Sequence, residues 1–121
     1  MGLQRAYQQT LGYSCWKLTT RDTGALIGFC GLAPLVLLDE VEIGWWLKPA
    51  FWGKGLAIEA AVHVANHAQT AHGLSRFVAR AYSENSSSIR IMQKLGMTYA
   101  RDLETNARGT VVLYEKSADQ A

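Results

Sequence analysis

Glu42-Ile43-Gly44-Trp45-Trp46-Leu47, then Lys48-Pro49-Ala50, then Phe51-Trp52-Gly53-Lys54-Gly55-Leu56-Ala57-Ile58-Glu59-Ala60, is the stretch on which the reading of the fold turns. Glu40 to Leu47 is short, apolar and aromatic, as a strand is. Pro49 to Trp52 leads out of it into a turn, Gly53-Lys54-Gly55. From Leu56 to His72 the period becomes helical. Ile58, Ala61, Val62, Ala65 and Ala68 recur on one side, and Glu59, His63, Asn66, His67 and Thr70 on the other. Gly73 is placed to stop the helix. A glycine turn running into a helix is a phosphate site in outline. The first helical amides are unpaired, the helix start is partially positive, and glycines let backbone approach an anion. Lys54 adds a cation. An ordinary tight turn is the competing reading. The dinucleotide fingerprint is excluded because Ile58 stands where its third glycine belongs, and no P-loop sequence is present.

Outward from this unit, Tyr13 to Thr20 alternates with Trp16, Leu18 and Thr20 on one face. Arg21-Asp22-Thr23-Gly24 is a turn, and Ala25 to Leu32 completes a hairpin. Gly28 and Gly31 mark a bulge or a close backbone approach in that strand. Met1 to Leu11 reads as the tail of a helix or a loose arm. On the other side, Arg76 to Tyr82 is a strand. Asn85 or a neighbouring serine caps a helix that buries Ile89, Met92 and Leu95 and ends at Gly96. Tyr99 to Leu103 and Thr110 to Lys116 form a last hairpin around Asn106-Ala107-Arg108-Gly109. The order β-β-β-α-β-α-β-β predicts one α/β (α+β) domain over residues 1–121, a mixed sheet covered by helices.

Bulk properties narrow the function. The hydrophobic fraction of 49% over 121 residues suits one packed domain. A formal charge of +2 gives no reason to expect nucleic acid or an anionic membrane as partner. Cys15 and Cys30 lack C-x-x-C spacing, so a reducing cytosol and buried thiols are expected. The longest apolar run, Leu32 to Leu38, is broken by Pro34 and is too short for a span, and the N-terminus lacks a signal-peptide core. The expectation is a soluble cytoplasmic protein.

The segment 42–60 closely resembles the acetyl-CoA motif of GNAT acyltransferases, and within them the ribosomal-protein-alanine (RimJ/RimL-like) branch. Asn85-Ser86-Ser87-Ser88-Ile89 followed by Lys94-Leu95-Gly96-Met97 resembles that branch's second motif. The likeness runs from about Tyr13 to Glu115. It implies an N-acetyltransferase that uses acetyl-CoA and an amine acceptor, by direct attack in a ternary complex. It also implies cofactor contacts from Trp46, Leu47, Trp52, Gly53, Lys54, Gly55, Leu56, Ala57 and Asn85. The strand holding Trp46 and Leu47 is expected to splay from the strand Arg76 to Tyr82. Met92 stands where many relatives place a tyrosine acid, and Met97 where they place an aromatic. The usual first strand and two helices ahead of the hairpin are expected to be missing.

Acyl transfer needs a deprotonated amine, a polarised carbonyl and a stabilised leaving sulfur. Asp39, Glu40 and Glu42 are the candidate bases, with Glu42 fitting the resemblance best. Its alternative role is to cap a strand edge or to salt-bridge an arginine. Ser88 is the candidate donor to sulfur, its alternative a helix cap shared with Ser86 and Ser87. Asn85 either braces the cofactor arm or forms an Asx turn. No metal site is expected: His63 and His67 are four apart, but Val64 breaks the H-E-x-x-H form. A scaffold that binds coenzyme A without turnover is the alternative function. A sheet left open near Trp16, Leu18 and Phe29 predicts a homodimer, with Met1 to Leu11 as a helical arm across it.

Overall fold

The computed structural model describes residues 2–8, 14–20, 22–71, 73–74 and 76–117, with backbone alone at 2–8, 14, 15 and 71. The strands are β1 (Gly2–Gln8), β2 (Ser14–Thr19), β3 (Leu26–Leu35), β4 (Glu40–Leu47), β5 (Arg76–Tyr82), β6 (Thr98–Asn106) and β7 (Gly109–Ser117). The helices are α1 (Leu56–Ala71) and α2 (Ser86–Lys94), and single 3-10 turns at Val36–Leu38 and Pro49–Phe51 flank β4. One seven-stranded sheet runs β1-β2-β3-β4-β5-β7-β6. Every neighbouring pair is antiparallel except β4 and β5, which run parallel. The connection between those two strands is α1, as a parallel crossover requires.

The β4–β5 pair decides where a ligand can go. Its register is a single pair, Glu42 opposite Val78; among the described residues no further pair forms toward Leu47 and Tyr82. The two strands part along their C-terminal halves, as the resemblance implies. On the other side of β4 the ladder is continuous from Gly28 opposite Leu47 to Leu35 opposite Glu40. Gly28 is a close approach: a Cβ built there would lie 2.1 Å from the Trp46 carbonyl oxygen. The β2–β3 register also shifts beside it, between Leu18 and Thr19.

The core lies between one face of the sheet and the two helices. Leu18, Cys30, Leu32, Ile43, Leu47, Phe77 and Ala79 meet α1 and α2 there. Helix α1 contributes Ala60, Ala61, Val64, Ala65 and Ala68. The buried stripe is therefore rotated from the one expected. Ala60 and Val64 are inside, whereas Val62 is exposed. Small alanines let the helix sit close to the sheet, and the rotation follows from where β3 and β4 lie, which the sequence period does not encode. Met92 is fully buried beneath α2, so the absent tyrosine is replaced by core packing.

Two expectations about the N-terminus change. Gly2–Gln8 is a strand, antiparallel to β2 from Gly2 opposite Thr19 to Gln8 opposite Ser14, not a helical arm. Its seven residues carry weak local signal; the open edge of β2 supplies the hydrogen bonds that make it a strand. The first strand of the resemblance is thus present. Among the described residues no helix stands between β1 and β2. Nor are Trp16 and Leu18 an open patch: Leu18 is buried, and Trp16 packs edge-on against His63 and His67 of α1. Phe29, on the other face, is 36% exposed and stacks on Trp46, itself 52% exposed.

Candidate active site

A cleft of about 530 Å3 opens where β4 leaves β5. Three segments wall it: the end of β4 at Trp45, Trp46 and Leu47; the loop and first turn from Phe51 to Ile58; and one side of α2. The loop is shaped by its own backbone. Lys48 donates to Ile27 at 2.8 Å, and the Trp52 indole N–H reaches back to the Leu47 carbonyl at 2.9 Å, so the loop folds against the strand end. Gly53 and Gly55 have φ of +78° and +75°, the left-handed region that a side chain disfavours. Their missing Cβ atoms would meet nothing within 4 Å, which leaves the loop backbone open to a visitor.

Helix α1 begins at the floor of this cradle. The Glu59 amide donates to the Gly55 carbonyl at 3.2 Å. The amides of Leu56, Ala57 and Ile58 come before that bond, and all three residues line the cleft. Their partial positive charge is joined by Arg90 and Lys94, four apart on α2 and both lining the cleft. Lys54 does not line it: its ammonium lies 5.4 Å from the Phe51 ring centroid. The site thus combines an apolar, aromatic wall with a cationic, amide-rich end, complementary to a long thiol carrying phosphates.

Helix α2 settles the roles left open at its start. The Asn85 side chain accepts from the Ser88 amide at 3.2 Å, so Asn85 is the cap. Ser88 is freed from capping, and its hydroxyl oxygen accepts from the Trp45 indole N–H at 3.2 Å. Trp45, Phe51, Ile58, Ser87, Arg90, Ile91 and Lys94 also line the cleft, beyond the cofactor contacts that the resemblance implies. The i, i+4 spacing of Arg90 and Lys94 on a helix carrying Ser87 and Ile91 was the available signal.

Glu42 is not among the cleft-lining residues. It points to the face of the sheet away from the helices and forms a two-pronged ion pair, Arg80 Nε to Oε2 at 2.5 Å and Nη2 to Oε1 at 3.0 Å. The hydrogen bonds that Arg80 donates to Glu42 raise the guanidinium pKa above its ordinary range. Glu40 likewise holds Arg76 at 2.8 Å, with Glu115 at 3.4 Å, and Arg76 is raised for the same reason. Asp39 closes the 3-10 turn before β4 with φ of +52°, its amide donating to the Val36 carbonyl. The three acids cluster at the start of β4 as the sequence implies, and two of them are committed to arginines. Among the described residues no group of three or more metal-ligating side chains converges, and no helix is long and apolar enough to cross a membrane.

The geometry and the motifs meet in the relatives. YoaA, an uncharacterised N-acetyltransferase of Bacillus subtilis, is 35% identical over 91 residues, 74% of this chain and 51% of its own length. A GNAT-family acetyltransferase structure from Bordetella pertussis superposes with a TM-score of 0.82 at 23% identity, over 89% of this chain and 68% of that one. The structure of yncA from Salmonella typhimurium with its cofactor acetyl-CoA gives 0.78 at 23% identity, over 92% and 68%. The chain spans about half the length of the curated relatives it matches. A family model described as the acetyltransferase (GNAT) domain matches residues 2–98, most of the chain, and the chain belongs to that family.

Proposed function

We propose that the protein is an acetyl-CoA-dependent N-acetyltransferase acting on a primary amine, either a protein N-terminus or a small molecule, by direct attack in a ternary complex. One observation carries the reading: two left-handed glycines and the unpaired amides of α1 form the cationic end of a cleft opened by the parting of β4 from β5. The finer placement in the ribosomal-protein-alanine branch rests on the Glu42 to Leu47 and Trp52 to Ala60 motifs. A cytoplasmic location fits the reduced-thiol composition.

When bound, acetyl-CoA supplies the activated thioester. The chain supplies the rest. Amides of Gly53 to Ala57 receive the pyrophosphate, with Lys54 swinging from Phe51 to assist. The end of β4 at Trp46 and Leu47, on the side that β5 leaves open, would hold the pantetheine arm, Trp52 would close over it, and Asn85 holds the start of α2. Ser88 offers its hydroxyl to sulfur. Glu42, at the far side of the gap, takes the amine's proton through water after loosening from Arg80.

The Glu42–Arg80 pair favours a second reading, a protein that binds coenzyme A without turnover. Thiol release from acetyl-CoA over a panel of amines separates the two. Acceptor-dependent release supports the enzyme; calorimetric binding with no release supports the second reading; no binding refutes both. We also propose a homodimer that covers the exposed Phe29–Trp46 pair.

A further inference from the structure

We infer that Trp45 is the positioning residue that aims the Ser88 hydroxyl into the cleft. The inference rests on the proposed function and extends it to a residue outside the family's motif roles. An indole N–H only donates, so the 3.2 Å contact has one direction: Ser88 Oγ is the acceptor. A serine hydroxyl has one proton, and a lone pair bound to Trp45 leaves that proton to be given elsewhere. The usual local outlets are already in use. Ser88 is the third residue of α2, so the carbonyl four residues back belongs to Glu84, ahead of the helix and already accepting from the Ser86 amide at 2.9 Å. The cap position is filled by Asn85. Both Ser88 and Trp45 line the cleft, one from α2 and one from β4, so the bond joins its two banks.

The consequence is chemical. During transfer the amine nitrogen bonds to the acetyl carbon. The C–S bond breaks with its electron pair going to sulfur, and the amine's proton is lost to water. Ser88 keeps its own proton and lends it as a hydrogen bond to the charge growing on sulfur. Trp45 fixes the direction of that bond before the substrate arrives.

The test compares calorimetric binding of coenzyme A and its desulfo analogue. It is run at about pH 9, on the alkaline side where the thiolate fraction of the coenzyme A thiol rises. The wild type is expected to prefer coenzyme A by about tenfold, the effect of one hydrogen bond to a charged group. Ser88→Ala and Trp45→Phe should each abolish the preference, the double variant should lose no more, and Ser88→Thr should retain it. The desulfo affinity of each variant is the reference for its own preference, so a general loss of binding through the altered cleft wall cancels. The indole proton resonance of Trp45, identified by its loss in Trp45→Phe, should exchange slowly in the ligand-free wild type and quickly in Ser88→Ala. A Trp45→Phe protein that keeps the full preference overturns the inference, as does an indole proton indifferent to Ser88. A wild type that binds both compounds equally overturns it while leaving the cofactor site standing. A wild type that binds neither removes the proposed function and this inference with it.

Discussion

Gly28→Ala should be the most damaging small substitution in the sheet, and its cost can be worked from the backbone. A methyl at Gly28 would sit 2.1 Å from the Trp46 carbonyl oxygen, 2.8 Å from Leu47 Cδ2 and 3.0 Å from Leu47 Cα. The first distance is more than an ångström inside the 3.4 Å at which ordinary contact begins. The atom met is backbone, so no rotamer change relieves the clash; β3 must move off β4. The Gly28–Leu47 pair and the 2.8 Å bond from Lys48 to Ile27 lie at that point. The loss should reach about 3 kcal/mol, the upper end of overpacking costs. For a domain of this size that lowers the melting temperature by roughly 10 °C. Trp46 and Leu47 form the cleft wall, so coenzyme A affinity should fall as well. Gly44→Ala is the control. A Cβ there meets nothing within 4 Å, and alanine is favoured over glycine within a strand by up to about 1 kcal/mol. Melting followed by circular dichroism, with titration calorimetry on the folded variants, measures both effects. A Gly28→Ala protein melting within about 3 °C of wild type refutes the reasoning, because the β3–β4 contact would then be yielding rather than fixed.

Other outcomes are as direct. Glu42→Gln should lower turnover mainly near neutral pH and leave coenzyme A affinity unchanged; an unaltered pH–rate profile removes Glu42 as the base. The same change unpairs an Arg80 that is 43% exposed, so stability should fall by less than about 1 kcal/mol. Tyr99 donates to Asp102 at 2.8 Å, and that bond, the largest cause, raises its pKa above the usual 10.0. Ultraviolet titration should therefore show a late-ionising component from Tyr99, which Asp102→Asn should remove. Light scattering at micromolar concentration should give the mass of two chains, reduced to one by Phe29→Lys; a wild-type mass of one chain ends the dimer proposal.

The strand–turn–helix at 40–72 was legible from residues alone, because each of its parts is local. A strand composition, two glycines and a helical period each act over a few neighbours, and they delimited α1 to within a residue. The cofactor loop was legible for the same reason: backbone amides at a helix start need no partner from elsewhere in the chain. What depended on distant segments was not readable. Gly2–Gln8 became a strand because β2 offered an edge. The rotation of α1 that buried Val64 and left Val62 outside was set by β3 and β4. The partner of Glu42 was not readable: β5 brings Arg80, 38 residues away, against both its oxygens, and a base there has first to leave that pair. Ser88 could be read as a cap until Asn85 took that place and Trp45, 43 residues away, claimed its oxygen. Sequence determined which chemistry the chain carries; the tertiary structure decided which group each side chain faces, since a hydrogen bond's partner is chosen by proximity in space and not along the chain.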